Sequence, residues 1–290
     1  MSKQSSKSKS SNKQVKLSRR QFIKKMGVSA GLTLLGSYPF FIEGKLLHVN
    51  EYQLPVRGLP RSFNTFRIAH LSDIHHGFLV SCSFVKKVVR LANDSKSDII
   101  VCTGDYVQER NGTKQIDTVW PHLAELKARY GVYSILGNHD HWANFERSEY
   151  WLNETGQNIR HRSVKIVQDD QEIWLGGAGD FYEDIPGIDT AFSNVPENAC
   201  KVLLTHNPDT LDGYYRTKIN IALAGHTHGG QVNIPFIGPP IVPVHNKNYT
   251  SGYIEGPRTN VFISRGIGWA ILPVRFNCFP EIAILHLIAT

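Results

Sequence analysis

From about Phe63 onward, short apolar runs alternate with longer mixed segments. Phe66–Leu71, Asp98–Thr103, Gly131–Leu136, Lys201–Thr205 and Asn220–Ala224 each read as a buried strand. Between them, Ser83–Asn93 places Phe84, Val85, Val88, Val89 and Ala92 on one helical face. Thr118–Tyr130 does the same with Val119, Leu123, Leu126 and Tyr130. Ser163–Gln168 and Glu172–Gly176 flank a polar turn and predict a hairpin, and Asn260–Ser264 and Glu281–Ile288 add late strands, hence a second sheet. Strand–helix alternation predicts an α/β fold in one domain over residues 63–290, with 43–62 as a connecting segment.

Residues 1–42 are of another kind. Positions 2–16 are Ser, Lys, Gln and Asn with one Val, too polar to fold. Arg19-Arg20-Gln21-Phe22 then precedes an uncharged run from Met26 to Ile42. A basic region ahead of an apolar one is targeting architecture, and the paired arginines resemble a twin-arginine signal. The expectation is export through that machinery to the periplasm or cell envelope; a cytoplasmic-face peripheral protein is the alternative. The run is 17 residues long, short of the ~20 that span a bilayer, and holds Gly27, Gly31, Gly36 and Pro39. Retention as an anchor and removal both stay open.

Charge separates along the same line. Residues 1–25 hold seven Lys and two Arg with no acid, whereas the rest has 23 basic and 25 acidic residues. A near-neutral body carries no nucleic-acid footprint, so no nucleic-acid partner is expected. The cysteines, at 82, 102, 200 and 278, form no C-x-x-C pair and read as unpaired core thiols.

The candidate chemistry lies just past the strand ends, where open α/β sheets place their sites. In order come Asp73-Ile74-His75, Gly104-Asp105, Gly137-Asn138-His139-Asp140, His206 and Gly225-His226-Thr227-His228. Successive candidate ligands are 32, 33, 68, 20 and 2 residues apart, which fits successive strand ends of one sheet. Two divalent ions about 3.5–4 Å apart need a shared anion and a mixed shell of oxygen and nitrogen donors. Carboxylates offset the repulsion between ions, while imidazoles and an amide oxygen limit the negative charge. Gly104, Gly137 and Gly225 are expected to let the backbone turn sharply as each ligand leaves its strand.

D-x-H, G-D, G-N-H-D, a separate His and G-H-T-H in this order resemble the calcineurin-like metallophosphoesterases over roughly residues 65–290. The twin-arginine leader, Gly225–Gln231 (GHTHGGQ) and Leu272–Ile282 (LPVRFNCFPEI) are similar to the exported YaeI/YkuE-type bacterial phosphodiesterase branch. That branch in turn resembles the chlamydial-type UDP-2,3-diacylglucosamine hydrolase. The resemblance implies a two-sheet β-sandwich flanked by helices, in four layers, and two divalent metal ions, Mn, Zn or Fe. It implies Asp73, His75, Asp105 and His228 around the first ion. Asp105 would bridge to the second, held also by Asn138, His206 and His226. His139 would meet the substrate and protonate the leaving oxygen, with Asp140 fixing its orientation. The implied reaction is hydrolysis of phosphodiester or diphosphate bonds in a small-molecule or lipid-linked substrate. A broad phosphomonoesterase or nucleotidase, and a non-catalytic scaffold of the same fold, are the alternatives. Gln108 and Glu109 depart from the purple acid phosphatases and the protein Ser/Thr phosphatases respectively, where those subclasses carry Tyr and Arg.

Ile234–Val244 holds four prolines and no charge, so it is an apolar loop beside two ligands. It either packs on the protein's own core or forms a wall for a lipid chain or a membrane surface. Arg265 and Arg275 either reach a substrate phosphate or form structural salt bridges. His76, His141 and His161 read as surface histidines.

Overall fold

The computed structural model describes residues 19–270 and 272–290; the polar tail lies outside them. The chain divides into two compact units, one ending at Tyr38 and one spanning Pro39–Thr290. The described part of the first is helical, within α1 (Arg19–Phe41). Among the described residues, no helix is long and apolar enough to cross a membrane.

In the second unit the elements are β1 (His48–Val56), β2 (Arg67–Leu71), α2 (Cys82–Asp94), β3 (Ile99–Cys102), α3 (Thr113–Leu123), β4 (Val132–Ser134) and α4 (Asn138–Glu154). There follow β5 (Ser163–Gln168), β6 (Gln171–Gly177), α5 (Ile188–Ala191), β7 (Cys200–Leu204), β8 (Ile221–Ala224), β9 (Gly252–Ile254), β10 (Val261–Ile263) and β11 (Glu281–Ala289). One sheet runs β1-β11-β2-β3-β4 and the other β5-β6-β7-β8-β10-β9. β2, β3 and β4 are mutually parallel, as are β6, β7, β8 and β10.

Side-chain alternation along each strand builds four layers. Ile68, Ile99 and Val101 face Val202, Leu204, Leu223 and Phe262 in a core between the sheets. Ala69, Leu71, Ile100 and Cys102 point the other way, onto Val85 and Val88 of α2 and Val119 and Trp120 of α3. Leu203, Ala222 and Ala224 form the outer face of the second sheet and cluster with Ile188 and Ala191 of α5. All four cysteines are free, and three of them are buried.

Besides the short α5 and β9, which the sequence reading lacks, three longer elements differ from it. The connecting segment 43–62 carries β1, an edge strand paired along all nine residues with β11. Its pattern is obscured because the strand is half exposed and holds Pro55 near its end, as edges allow. The helix expected over Thr118–Tyr130 is instead Thr113–Leu123. Pro121 cannot lie deep in a helix, so it falls in the last turn; Leu126 is then buried from a loop. Helix α4 went unrecognised because its sequence is polar, with Ala143 and Leu152 its buried apolar residues.

Candidate metal centre

The ligand motifs do not lie along one sheet, as their spacing suggested. Asp73, His75, Asp105 and Asn138 follow β2, β3 and β4, whereas His206, His226 and His228 follow β7 and β8 of the other sheet. The centre sits where the carboxyl ends of two parallel runs meet. A seam hydrogen bond, His206 Nδ1 to the Thr103 carbonyl at 2.7 Å, ties the runs together.

Five of the predicted ligands leave their strands in the left-handed backbone region: Asp73 (φ 54°), His75 (50°), Asp105 (58°), His226 (67°) and His228 (51°). Such conformations are costly for residues with a Cβ and concentrate at functional sites. Of the glycines, Gly104 has the left-handed turn expected of it (φ 95°). Gly137 and Gly225 do not; they are small because a Cβ would collide with the Asp105 carboxylate at one and with Ser72 and Asp73 at the other.

The side chains converge in two clusters. His228 Nε2 lies 3.2 Å from Asp73 Oδ1 and 3.0 Å from His75 Nε2. His206 Nε2 lies 3.2 Å from Asp105 Oδ2 and 3.1 Å from His226 Nδ1. Asp105 Oδ2 is also 3.5 Å from His75 Nε2, so one carboxylate oxygen faces both clusters. The far nitrogens of His206 and His226 bond backbone carbonyls, Thr103 at 2.7 Å and Pro243 at 3.0 Å. That arrangement turns the other nitrogen of each ring inward.

Electrostatics argue for cations here. Burial alone would raise the Asp73 pKa, but His228 beside it wins and holds the carboxyl far below its ordinary value. Asp105 is likewise held low, against burial, by His206 and His139. Burial disfavours a charged His206, yet Asp105 raises that imidazole to about 10. A field that keeps a buried imidazole protonated is one that attracts a metal ion. Burial and then the charged His206 lower His226 to about 4, and burial lowers His75 well below its usual value, leaving both rings neutral as ligands must be. Asn138 supplies an independent test: its Oδ1 is buried with no hydrogen-bond partner. A buried, orphaned amide oxygen on the residue next to His139 fits a divalent ion.

His139 also enters the centre, with a ring nitrogen within 4.8 Å of ligand atoms of His75 and Asp105. Its Nδ1 donates to the Gln108 carbonyl at 3.0 Å, and its backbone N–H to Asp105 Oδ1 at 2.8 Å. Asp140 does not orient this ring. Its carboxylate accepts the N–H groups of Asp105 (2.8 Å), Tyr106 (2.9 Å) and Gly137 (2.9 Å) and so pins the loops after β3 and β4 together. Burial and the charge of Asp105 raise its pKa to about 7, against those three donors.

Other sequence readings change. His76 is buried and bonds the Val80 carbonyl, His141 stacks on Phe145, and His161 bonds the Ile185 carbonyl, so none is a plain surface residue. Arg275 is fully buried on backbone carbonyls, neither exposed to a substrate nor paired with an acid. Asp180, which went unnoticed, follows β6 and is buried with Oδ2 unpartnered. Gly179-Asp180 repeats the Gly104-Asp105 pattern after a strand of the other sheet, and that repeat was the available signal. Trp142 was also missed; its ring lies 4.7 Å from that of His139.

A centre of this kind places the chain among metal-dependent hydrolases. The family is the calcineurin-like phosphoesterases: its sequence model matches residues 66–230, and the chain belongs to it, a metallophosphoesterase. The chain is 32% identical over 283 residues to an uncharacterized metallophosphoesterase, YkuE, of Bacillus subtilis, covering 95% of this chain and 99% of the relative. It is 28% identical over 232 residues to phosphodiesterase YaeI of Escherichia coli, covering 77% of this chain and 82% of that protein. Among solved structures, TT1561 of Thermus thermophilus aligns with a TM-score of 0.44 at 11% identity, over 70% of this chain and 90% of that one.

Proposed function

We propose that this chain hydrolyses phosphodiester or diphosphate bonds with two divalent ions, Mn, Zn or Fe. Asp73, His75 and His228 would hold one, Asn138, His206 and His226 the other, and Asp105 both. The observation that carries the reading is Asp105 Oδ2, placed 3.5 Å from His75 and 3.2 Å from His206. Bound there, the ions would lower the pKa of a water nucleophile and offset charge on the phosphoryl oxygens. The protein's own part is positional. Asp140 holds two ligand loops in register, and the Gln108 carbonyl takes the Nδ1–H of His139. Acid–base work at His139 therefore falls to Nε2, which can protonate a leaving alkoxide. Similarity to a phosphodiesterase supports the diester preference.

We further propose an amphiphilic, lipid-linked substrate. Ile234–Val244 divides its duties: Val242 and Val244 join the core, while Phe236, Ile237 and Ile241 are exposed. Ile241 and Pro240, with Val232, Leu272 and Val274, line an apolar cavity of about 260 Å³ that reaches His228. Four methylenes buried there would contribute roughly 3 kcal/mol, over a hundredfold in affinity. Leu272→Asp should then raise KM for UDP-2,3-diacylglucosamine about a hundredfold. It should leave kcat/KM for bis-p-nitrophenyl phosphate within about twofold. Equal losses on both substrates would sink the lipid reading. Phe236 is outside the cavity lining and is the poorer probe.

Export is proposed on the leader alone. The double substitution Arg19→Lys and Arg20→Lys should strand the folded protein in the cytoplasm, because paired arginines are what the export receptor reads. Fractionation that finds the variant still in the envelope would leave the leader as a basic anchor.

A further inference from the structure

The segment Leu272–Ile282 (LPVRFNCFPEI) supplies no ligand, yet its one arginine is among the largest fully buried side chains of the protein. Arg275 pairs with no carboxylate among the described residues. It spends its fork on carbonyls instead: Gly268 from Nε at 3.0 Å and Nη2 at 2.6 Å, Cys278 from Nη1 at 3.0 Å, and Arg265 and Gly266 from Nη2 at 2.9 and 3.2 Å. Glu281 holds the same loop as well, Oε1 accepting the Arg265 N–H at 3.0 Å.

That loop, residues 265–268, is the backing of one half of the centre. The N–H groups of Ile267 and Gly268 bond the Asp73 carbonyl at 3.2 and 2.6 Å. A Cβ on Gly266 would stand 2.8 Å from Asp73 Cβ, and one on Gly268 would stand 2.9 Å from His75 Cβ. Arg275 also approaches the third member directly, its Nη2 lying 3.4 Å from His228 Nδ1. The rings of His206 and His226 are held differently, by the Thr103 and Pro243 carbonyls, and Asp105 by the loop that Asp140 pins; the one link across is the His226 backbone N–H on the Asp73 carboxylate at 3.0 and 3.1 Å. None of the partners of Arg275 belongs to that second half.

We propose that Arg275 is the positioning residue of the Asp73–His75–His228 half and sets ion affinity there alone; the proposal rests on the two-ion reading. A planar fork with five donors can tie three carbonyls of this loop to that of Cys278, which an ammonium at a point cannot. Charge predicts the opposite sign. Removing a cation near His228 would strengthen ion binding if electrostatics dominated, so the direction of the change decides which effect wins.

The test uses the full chain, stripped with chelator and titrated with Mn²⁺ by calorimetry and metal analysis. Wild-type uptake is measured first, because one ion instead of two would overturn the two-ion reading itself. Two backgrounds then isolate the halves: His226→Ala leaves the first ion and His75→Ala the second. In the His226→Ala background, Arg275→Gln and Arg275→Lys should each weaken the remaining ion by about 10- to 100-fold. In the His75→Ala background both should leave it within twofold. Unchanged or tighter binding in the first background overturns the proposal, as does equal weakening in both, which would mean a general structural role. If Arg275→Gln does not fold, Gly266→Ala pushes on Asp73 from the same loop and must show the same selectivity.

Discussion

Asp105→Ala should lose both metal ions, and turnover of bis-p-nitrophenyl phosphate should fall by about 10⁶-fold, toward the uncatalysed rate. Two divalent ions about 4 Å apart repel by roughly 17 kcal/mol at an effective dielectric of about 20. A shared anion between them is what makes double occupancy affordable, and Asp105 Oδ2 is the atom that faces both clusters. Asp73→Ala should be milder in metal content, costing one ion, because the imidazoles its carboxylate meets are those of His75 and His228, while it takes only the backbone N–H of His226. Metal analysis of the two variants side by side checks the contrast. An Asp105→Ala protein that keeps one tightly bound ion would show that the halves are independent. Chelation of the wild type should abolish turnover, and added Mn²⁺ or Zn²⁺ should restore it.

His139→Ala should keep both ions while kcat falls by about 10²–10⁴, the range expected when acid–base help is lost. The ring is held by the Gln108 carbonyl, and it sits on the backbone next to Asn138, so its removal spares every proposed ligand. The deficit should shrink for diesters with acidic leaving groups, which depart without a proton. A loss that is uniform across a leaving-group series would reduce His139 to positioning substrate. Loss of an ion in the variant would instead place the imidazole in a coordination sphere, which its approach within 4.8 Å of His75 and Asp105 makes a fair challenge.

Most strands were legible because a short apolar run is a local signal, and the residue types of the site were legible because each follows such a strand. Edge strand β1 and helix α4 were not, since neither shows a clean apolar period: one is half exposed and the other is built from the polar residues that also begin the site. The glycines show the same limit. A sequence suggests turns at Gly104, Gly137 and Gly225, but close approach by side chains from distant strands explains the latter two.

What the sequence by itself determined is therefore the candidate donor set, its order and the layered α/β class, all carried by motifs and apolar runs a few residues long. Tertiary structure decided which ligands share a cluster, because the motifs are divided between two sheets whose pairing no local pattern encodes. It also decided what holds them. The supports are the carbonyls of Thr103, Gln108 and Pro243, the three N–H groups on Asp140 and the buried fork of Arg275. Backbone groups are the same at every residue, so only the folded chain shows which of them become partners.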